Sequence, residues 1–182
     1  MSAFETARTT AEELLAPTLP RRWRRAQAVG AKAALIGAEI FSRDEGGVLA
    51  TAAMLIDIGH APAAAETGFS QLDGARWLRA RDWDERITGL VAHCSFAIVE
   101  AELRGCREEL EAEFPDEDSA VTQALCYCDM TTGPDGESLN VESRIAEAAT
   151  RYGPNHVVTK FLERAHPAIL EAVGQTERAL AF

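Results

Sequence analysis

An all-α fold is what this sequence predicts, and three observations carry the prediction. Alanine, leucine and glutamate dominate segments of helical length. Strict apolar–polar alternation, the mark of a half-buried strand, is nearly absent. Gly, Pro and Asp punctuate the chain where turns between helices are needed. With 182 residues the chain can bury roughly 70% of the surface its unfolded form exposes, so one domain over 1–182 with about seven or eight helices is expected.

A first helix is predicted from Phe4 to Leu15. The second runs from Pro20, a residue suited to a first helical turn, to about Ala38, with Ala26, Val29, Ala33 and Ile36 or Ile40 as its apolar stripe. From Gly47 to Ile58 the sequence is apolar around nearly the whole helical circumference, which predicts a central helix ended by Gly59 and Pro62. Shorter pieces follow over Asp73–Arg81 and Asp84–Cys94, then a longer helix over Phe96–Phe114. The acid-rich start Pro115-Asp116-Glu117-Asp118 favours a helix to Thr131 or Thr132, because carboxylates stabilise the positive end of the helix dipole. TTGPDGES is a turn. Asn140 caps a helix to Tyr152, Gly153-Pro154 stops it, and Asn155 starts the last segment, with Pro167 a candidate break.

Charge and cysteine usage narrow the function classes. A net charge of -11 argues against general affinity for nucleic acid or anionic membrane and leaves a small molecule, a protein or a homo-oligomeric partner. No stretch of about 18 apolar residues predicts a membrane span, and the acidic start does not read as a signal peptide, so a cytoplasmic protein is expected. Cys94, Cys106, Cys126 and Cys128 lack zinc-knuckle spacing and read as reduced thiols.

The chemical signal is an ionisable residue set in each of three otherwise apolar segments: Asp57 in MLIDIG, His93 in GLVAHCSFAIV and Asp129 in ALCYCDMT. A buried carboxylate costs several kcal/mol unless it is paired, hydrogen-bonded or metal-bound. These three are therefore expected to meet at one polar pocket. The plainer alternatives are helix-end hydrogen bonds for the aspartates and a satisfied core histidine for His93. Trp23, Trp77 and Trp83 read as packing residues, Asp73 as a cap or loop residue, and Lys32 as a surface lysine within reach of the same face as Arg25.

Taken together, these segments resemble the HD-domain superfamily of metal-dependent phosphohydrolases, over roughly Leu19 to Arg164. LIDIGHAP is similar to the family's LHDIGHAP, RRWRRAQAVGAKA to its early helix, LVAHCS to its LVAHHS, and ALCYCDMTTGPDG to its closing aspartate segment. The resemblance implies a helical HD-type domain in which a histidine of the early helix, a His-Asp pair, further histidines and a distant aspartate hold one or two divalent metals.

The chain departs from that pattern at the ligands. Arg25 stands in place of the early-helix histidine, Ile56 in place of the His of the pair, Ser70 where relatives often carry histidine, and Cys94 after His93 where a second histidine is common. Ile56 has no lone pair and Arg25 is cationic at any relevant pH. The expectation is that Arg25 bonds Asp57 and Asp129 and supplies the charge a metal would have carried.

Three functions are open. In the favoured one the pocket binds an organic anion without a cofactor, as a binding protein or metal-free enzyme. Arg25, His60, Ser70 and Cys94 then contact the ligand, and Asp57, His93, Asp129 and Arg25 position it or move a proton. In the second, Asp57, His60, His93 and Asp129 build a phosphohydrolase site for a nucleotide or other phosphate ester, with Asp57 and Asp129 holding Mn, Mg or Fe. In the third the pocket is inert and the protein is a regulatory or structural partner.

Overall fold

The computed structural model describes residues 2–181, and among them it is all-helical, with ten α-helices and two short 3-10 turns. The only β-type pairing among these residues is an isolated antiparallel bridge between Thr132 and Ser138, which closes the TTGPDGES turn. No helix among the described residues is long and apolar enough to cross a membrane.

Helix α1 (Ala3–Leu15) opens with a reciprocal cap: the Glu5 N–H donates to the Ser2 hydroxyl, and the Ser2 N–H donates to the Glu5 carboxylate. Helix α2 (Pro20–Ile40) buries the expected stripe of Ala26, Val29, Ala33 and Ile36, and with it Arg25. The arginine run therefore divides by helical phase. Arg21 and Arg24 face outward to the exposed Asp135, while Arg25 faces inward.

Helix α3 (Arg43–Leu55) starts four residues earlier than expected because Ser42 caps it, accepting from the Glu45 N–H. It is buried continuously from Leu49 to Leu55 and stops there, and Ile58–His60 continue as a 3-10 turn. Helices α2 and α3 approach at two glycines: a Cβ on Gly46 would lie 2.8 Å from the Gly37 carbonyl oxygen. At Gly59 a Cβ would fall 1.8 Å from the Ser70 carbonyl oxygen, so glycine there lets the 3-10 turn lie on the start of the next helix.

Helix α4 (Ser70–Arg79) begins three residues before Asp73, whose buried carboxylate accepts from the N–H groups of Glu66, Thr67 and Gly68 and anchors the preceding loop. Helix α5 (Glu85–Ala92) is capped by Asp84. The expected helix over Phe96–Phe114 is instead three elements: the 3-10 turn Cys94–Phe96, α6 (Ala97–Arg104) and α7 (Arg107–Glu113). Gly105, at φ 76°, ends α6 in the left-handed conformation that glycine adopts without steric cost.

Helices α8 (Ala120–Met130) and α9 (Val141–Tyr152) take their caps from Ser119 and Asn140. Helix α10 (Val157–Leu180) is capped by His156 and runs unbroken through Pro167. Phe161, Leu162 and Ala165 before the proline, and Ile169, Ala172 and Val173 after it, all enter one core cluster with Cys126, Met130 and Ala148. That burial outweighs the roughly 3 kcal/mol a helix-interior proline costs.

The core has three apolar clusters. The largest joins α1, α2, α3, α4, α5 and α8, the second α8, α9 and α10, and the third α4, α5, α6 and α7. Trp23, Trp77 and Trp83 pack against the first.

The glycine contact gives a paired prediction. Gly46→Ala forces the α2–α3 backbones apart and is expected to lower unfolding stability by about 1–3 kcal/mol. Its exposed neighbour Gly47, with nothing within 4 Å of a built Cβ, is expected to gain up to about 1 kcal/mol on the same change. Urea unfolding of the two single variants checks both signs.

Candidate functional site

Asp57 and Asp129 come from elements far apart in sequence, and Arg25 brings them together. The apolar stripe of α2 turns Arg25 into the core, the end of α3 delivers Asp57, and the last turn of α8 delivers Asp129. The Arg25 Nη1 donates to Asp57 Oδ2 at 2.7 Å, and Nη2 donates to Asp129 Oδ1 at 2.5 Å and to the Asp129 carbonyl at 3.0 Å. A fork of donors bonding two carboxylates is the geometry for which guanidinium is suited and ammonium is not.

The remaining carboxylate oxygens also face donors. Ser95 Oγ donates to Asp129 Oδ2 at 2.6 Å, and Arg22 Nη1 lies 3.5 Å from Asp57 Oδ1. Ser95 and Phe96 have φ of 51° and 62°, uncommon for residues other than glycine. The tight turn they form holds the Ser95 hydroxyl against Asp129.

Charges follow the geometry. Burial opposes ionisation of Arg25 and Asp57, but their mutual attraction outweighs it: Arg25 is held above its usual pKa and Asp57 well below the carboxylate range, with Arg22 and His60 adding to the effect at Asp57. Burial, reinforced by the charge of Arg22, pushes His60 down to about 4. Cys94 is pushed well above its ordinary value by burial and then by Asp129, so it stays a thiol, as do Cys126 and Cys128, both pushed up to about 12 by burial. The set therefore has in Asp57 an ionised carboxylate that is a poor base, a neutral imidazole in His60 and no thiolate.

Arg22, Arg25, Asp57, His60, Cys94 and Asp129 line a cavity of about 390 Å³. Arg25, Ile56, Asp57, His60, Ser70, Cys94 and Asp129, all singled out from the sequence, reach it. His93 does not. Its Nε2–H donates to the Phe114 carbonyl at 2.9 Å, and its ring lines a different cavity, because α5 ends at Ala92 and the turn after it sends residues 93 and 94 to opposite sides. The expected meeting of two carboxylates and one imidazole is thus corrected to two carboxylates and a guanidinium. Lys32 is also elsewhere: its Nζ donates to the carbonyl and hydroxyl of Thr131, where a cation complements the C-terminal end of α8.

Sequence reasoning missed the opposite wall. Helix α9 contributes Arg144, Ala148, Arg151 and Tyr152, and the start of α10 contributes His156, Val157, Val158, Phe161 and Leu162. Arg144 and Arg151 both bond Glu147, and burial together with the charge of Arg25 pulls the Arg144 pKa down. The Nε of Arg144 and the Nε of Arg25 are buried donors without a partner among the described residues. In all, five arginines and three carboxylates line the cavity of a chain whose net charge is -11.

A divalent metal does not fit the residues present. The four oxygens of Asp57 and Asp129 already face arginine or serine donors, Ile56 has no lone pair, and no cluster of three or more His, Cys, Asp or Glu side chains among the described residues is disposed to hold an ion. No protein-family model, curated protein or solved structure matches the chain.

His60 gives the site a pH signature. The unfolded chain protonates a histidine near 6.5, whereas folded His60 does so near 4. Between those values the unfolded state binds more protons, so stability falls as pH drops from about 6.5 toward 4, by about 1–3 kcal/mol for this group. The contribution of Asp57, whose folded pKa is depressed, is full above about 4 and is lost below it, outside that window. His60→Gln is expected to flatten the stability profile between pH 6.5 and 4.5, measured by urea midpoints.

Proposed function

We propose that this chain binds a small organic anion in the cavity above Arg25, without a metal, as a binding protein or as a metal-free enzyme in an HD-like frame. The observation that carries the reading is the local reversal of charge: arginines outnumber carboxylates around a cavity in an acidic chain. Such a reversal raises the local concentration of anions and costs stability unless a ligand completes it. The free Nε donors of Arg25 and Arg144 add two N–H groups that a carboxylate or phosphate oxygen satisfies.

The cavity's other wall sets the ligand's second feature. Val157, Val158, Phe161 and Leu162 offer an apolar surface and Tyr152 an aromatic one, so the anionic group is attached to an apolar or ring-bearing body. Arg22 is the residue best placed to meet the anion, since its contact to Asp57 is long and its side chain is partly exposed. Arg25 holds Asp57 and Asp129 as fixed charges and orients the floor. We place the protein in the cytoplasm on the strength of four cysteines that are all unpaired thiols.

The HD-type phosphohydrolase reading requires two carboxylates free to bind a metal, and Arg25 occupies both. Thermal melts with phenyl phosphate, adenosine monophosphate and benzoate, each with and without EDTA, test the proposal. At least one of the three is expected to raise the melting temperature saturably and independently of EDTA, with affinity about tenfold weaker in Arg22→Met. A chelator-sensitive melt, with stoichiometric metal and phosphate release from phenyl phosphate, overturns it.

A further inference from the structure

His93 leads to a second site. It lines a separate cavity of about 440 Å³ between the turn after α5, the loop Asp116–Asp118, α8 and α10, and shares only Ser95 with the first. Because a carbonyl oxygen only accepts, the bond from His93 to Phe114 fixes the ring hydrogen on Nε2. In the neutral imidazole Nδ1 is then a bare lone pair. It is buried on a side chain only 4% exposed and has no hydrogen-bond partner among the described residues. An acceptor left in that state costs on the order of what a lost hydrogen bond costs, and an occupant with a donor removes the cost.

The surroundings identify the donor's charge. No lysine or arginine lines this cavity, whereas Asp116, Glu117, Asp118 and Glu171 do. Glu117 is neutralised by Arg86 and Glu171 bonds Arg178, which leaves Asp116 and Asp118 unpaired with any arginine or lysine among the described residues. Asp116 Oδ2 lies 3.9 Å from His93 Nδ1. Two acceptors that far apart both lie within hydrogen-bond reach of a single nitrogen seated between them. Phe96, Ile98, Ala168 and Ala172 supply an apolar face beside that position.

We propose that this second cavity binds a small organic cation, a primary ammonium on an apolar body, whose N–H groups bridge His93 Nδ1 and the Asp116 carboxylate. The site is opposite in charge to the first, so the two select different ligands across the Ser95 turn. A single bridging water satisfies the same lone pair, and the test distinguishes the two occupants.

Benzylamine is the probe and benzyl alcohol its neutral counterpart of the same shape, followed by calorimetric titration and by the imidazole resonances of protein labelled with ¹⁵N at its four histidines. Benzylamine is expected to bind saturably and shift the His93 Nδ1 resonance. Asp116→Asn, an exposed change that leaves the fold intact, weakens it about tenfold, and His93→Phe removes the bridge. Equal binding of benzyl alcohol, no saturable binding of benzylamine, or an unchanged affinity in Asp116→Asn each overturns the proposal.

Discussion

Everything about the first cavity depends on one buried guanidinium. Arg25 is bonded to Asp57 and Asp129 at once, and none of the three charges is tolerable there without the others. Two carboxylates this close repel strongly in a medium of low dielectric, and a lone arginine at this depth costs several kcal/mol. The triad ties α2, the end of α3 and the end of α8 to one point, and these helices belong to the largest apolar cluster. Apolar packing gives the helices their attraction; the triad fixes their register, because sliding any one of them strands a charge.

The same triad explains why the pocket is cationic rather than acidic. Arg25 offsets one of the two carboxylate charges, and Arg22, Arg144 and Arg151 around the opening outweigh the one that is left. His60, beside Arg22, responds by staying neutral. On the far side of Asp129 the Ser95 turn separates this cavity from the acidic one. Two consecutive left-handed residues cost about 1–2 kcal/mol each. The return is a hydroxyl fixed on Asp129 and a wall that sends Cys94 one way and His93 the other.

How much of this was legible in the sequence can be argued residue by residue. The all-α class, the Asn140 cap and the burial of Asp57 and Asp129 follow from periodicity, cap chemistry and the rarity of acids in apolar runs, whereas the Ser42 cap was passed over. Arg25 was legible as the partner through the resemblance, which sets it where a metal-binding histidine is expected; its burial beside Ala26 and Val29 is what the structure adds. The break at Gly105 carried a signal, a glycine after a basic last turn, that an amphipathic reading of 96–114 overrode. Arg144, Arg151 and His156 carried none. In sequence they are polar residues of an amphipathic helix and its loop, and only the return of α10 against α8 turns them onto the pocket. His93 was legible as buried, but its direction depends on the end of α5 at Ala92, one residue before it, which no residue type there announces.

The central claim is that the guanidinium stands where a cation belongs, and removing it while offering a cation tests that most directly. In Arg25→His the carboxylates lose their partner and regain a ligand, so Mn²⁺ titrated into the variant is expected to raise a lowered melting temperature saturably, with no response from the unaltered protein. A variant that is as stable as the parent without metal and indifferent to Mn²⁺, or a parent chain that binds Mn²⁺ as tightly as the variant, contradicts the account.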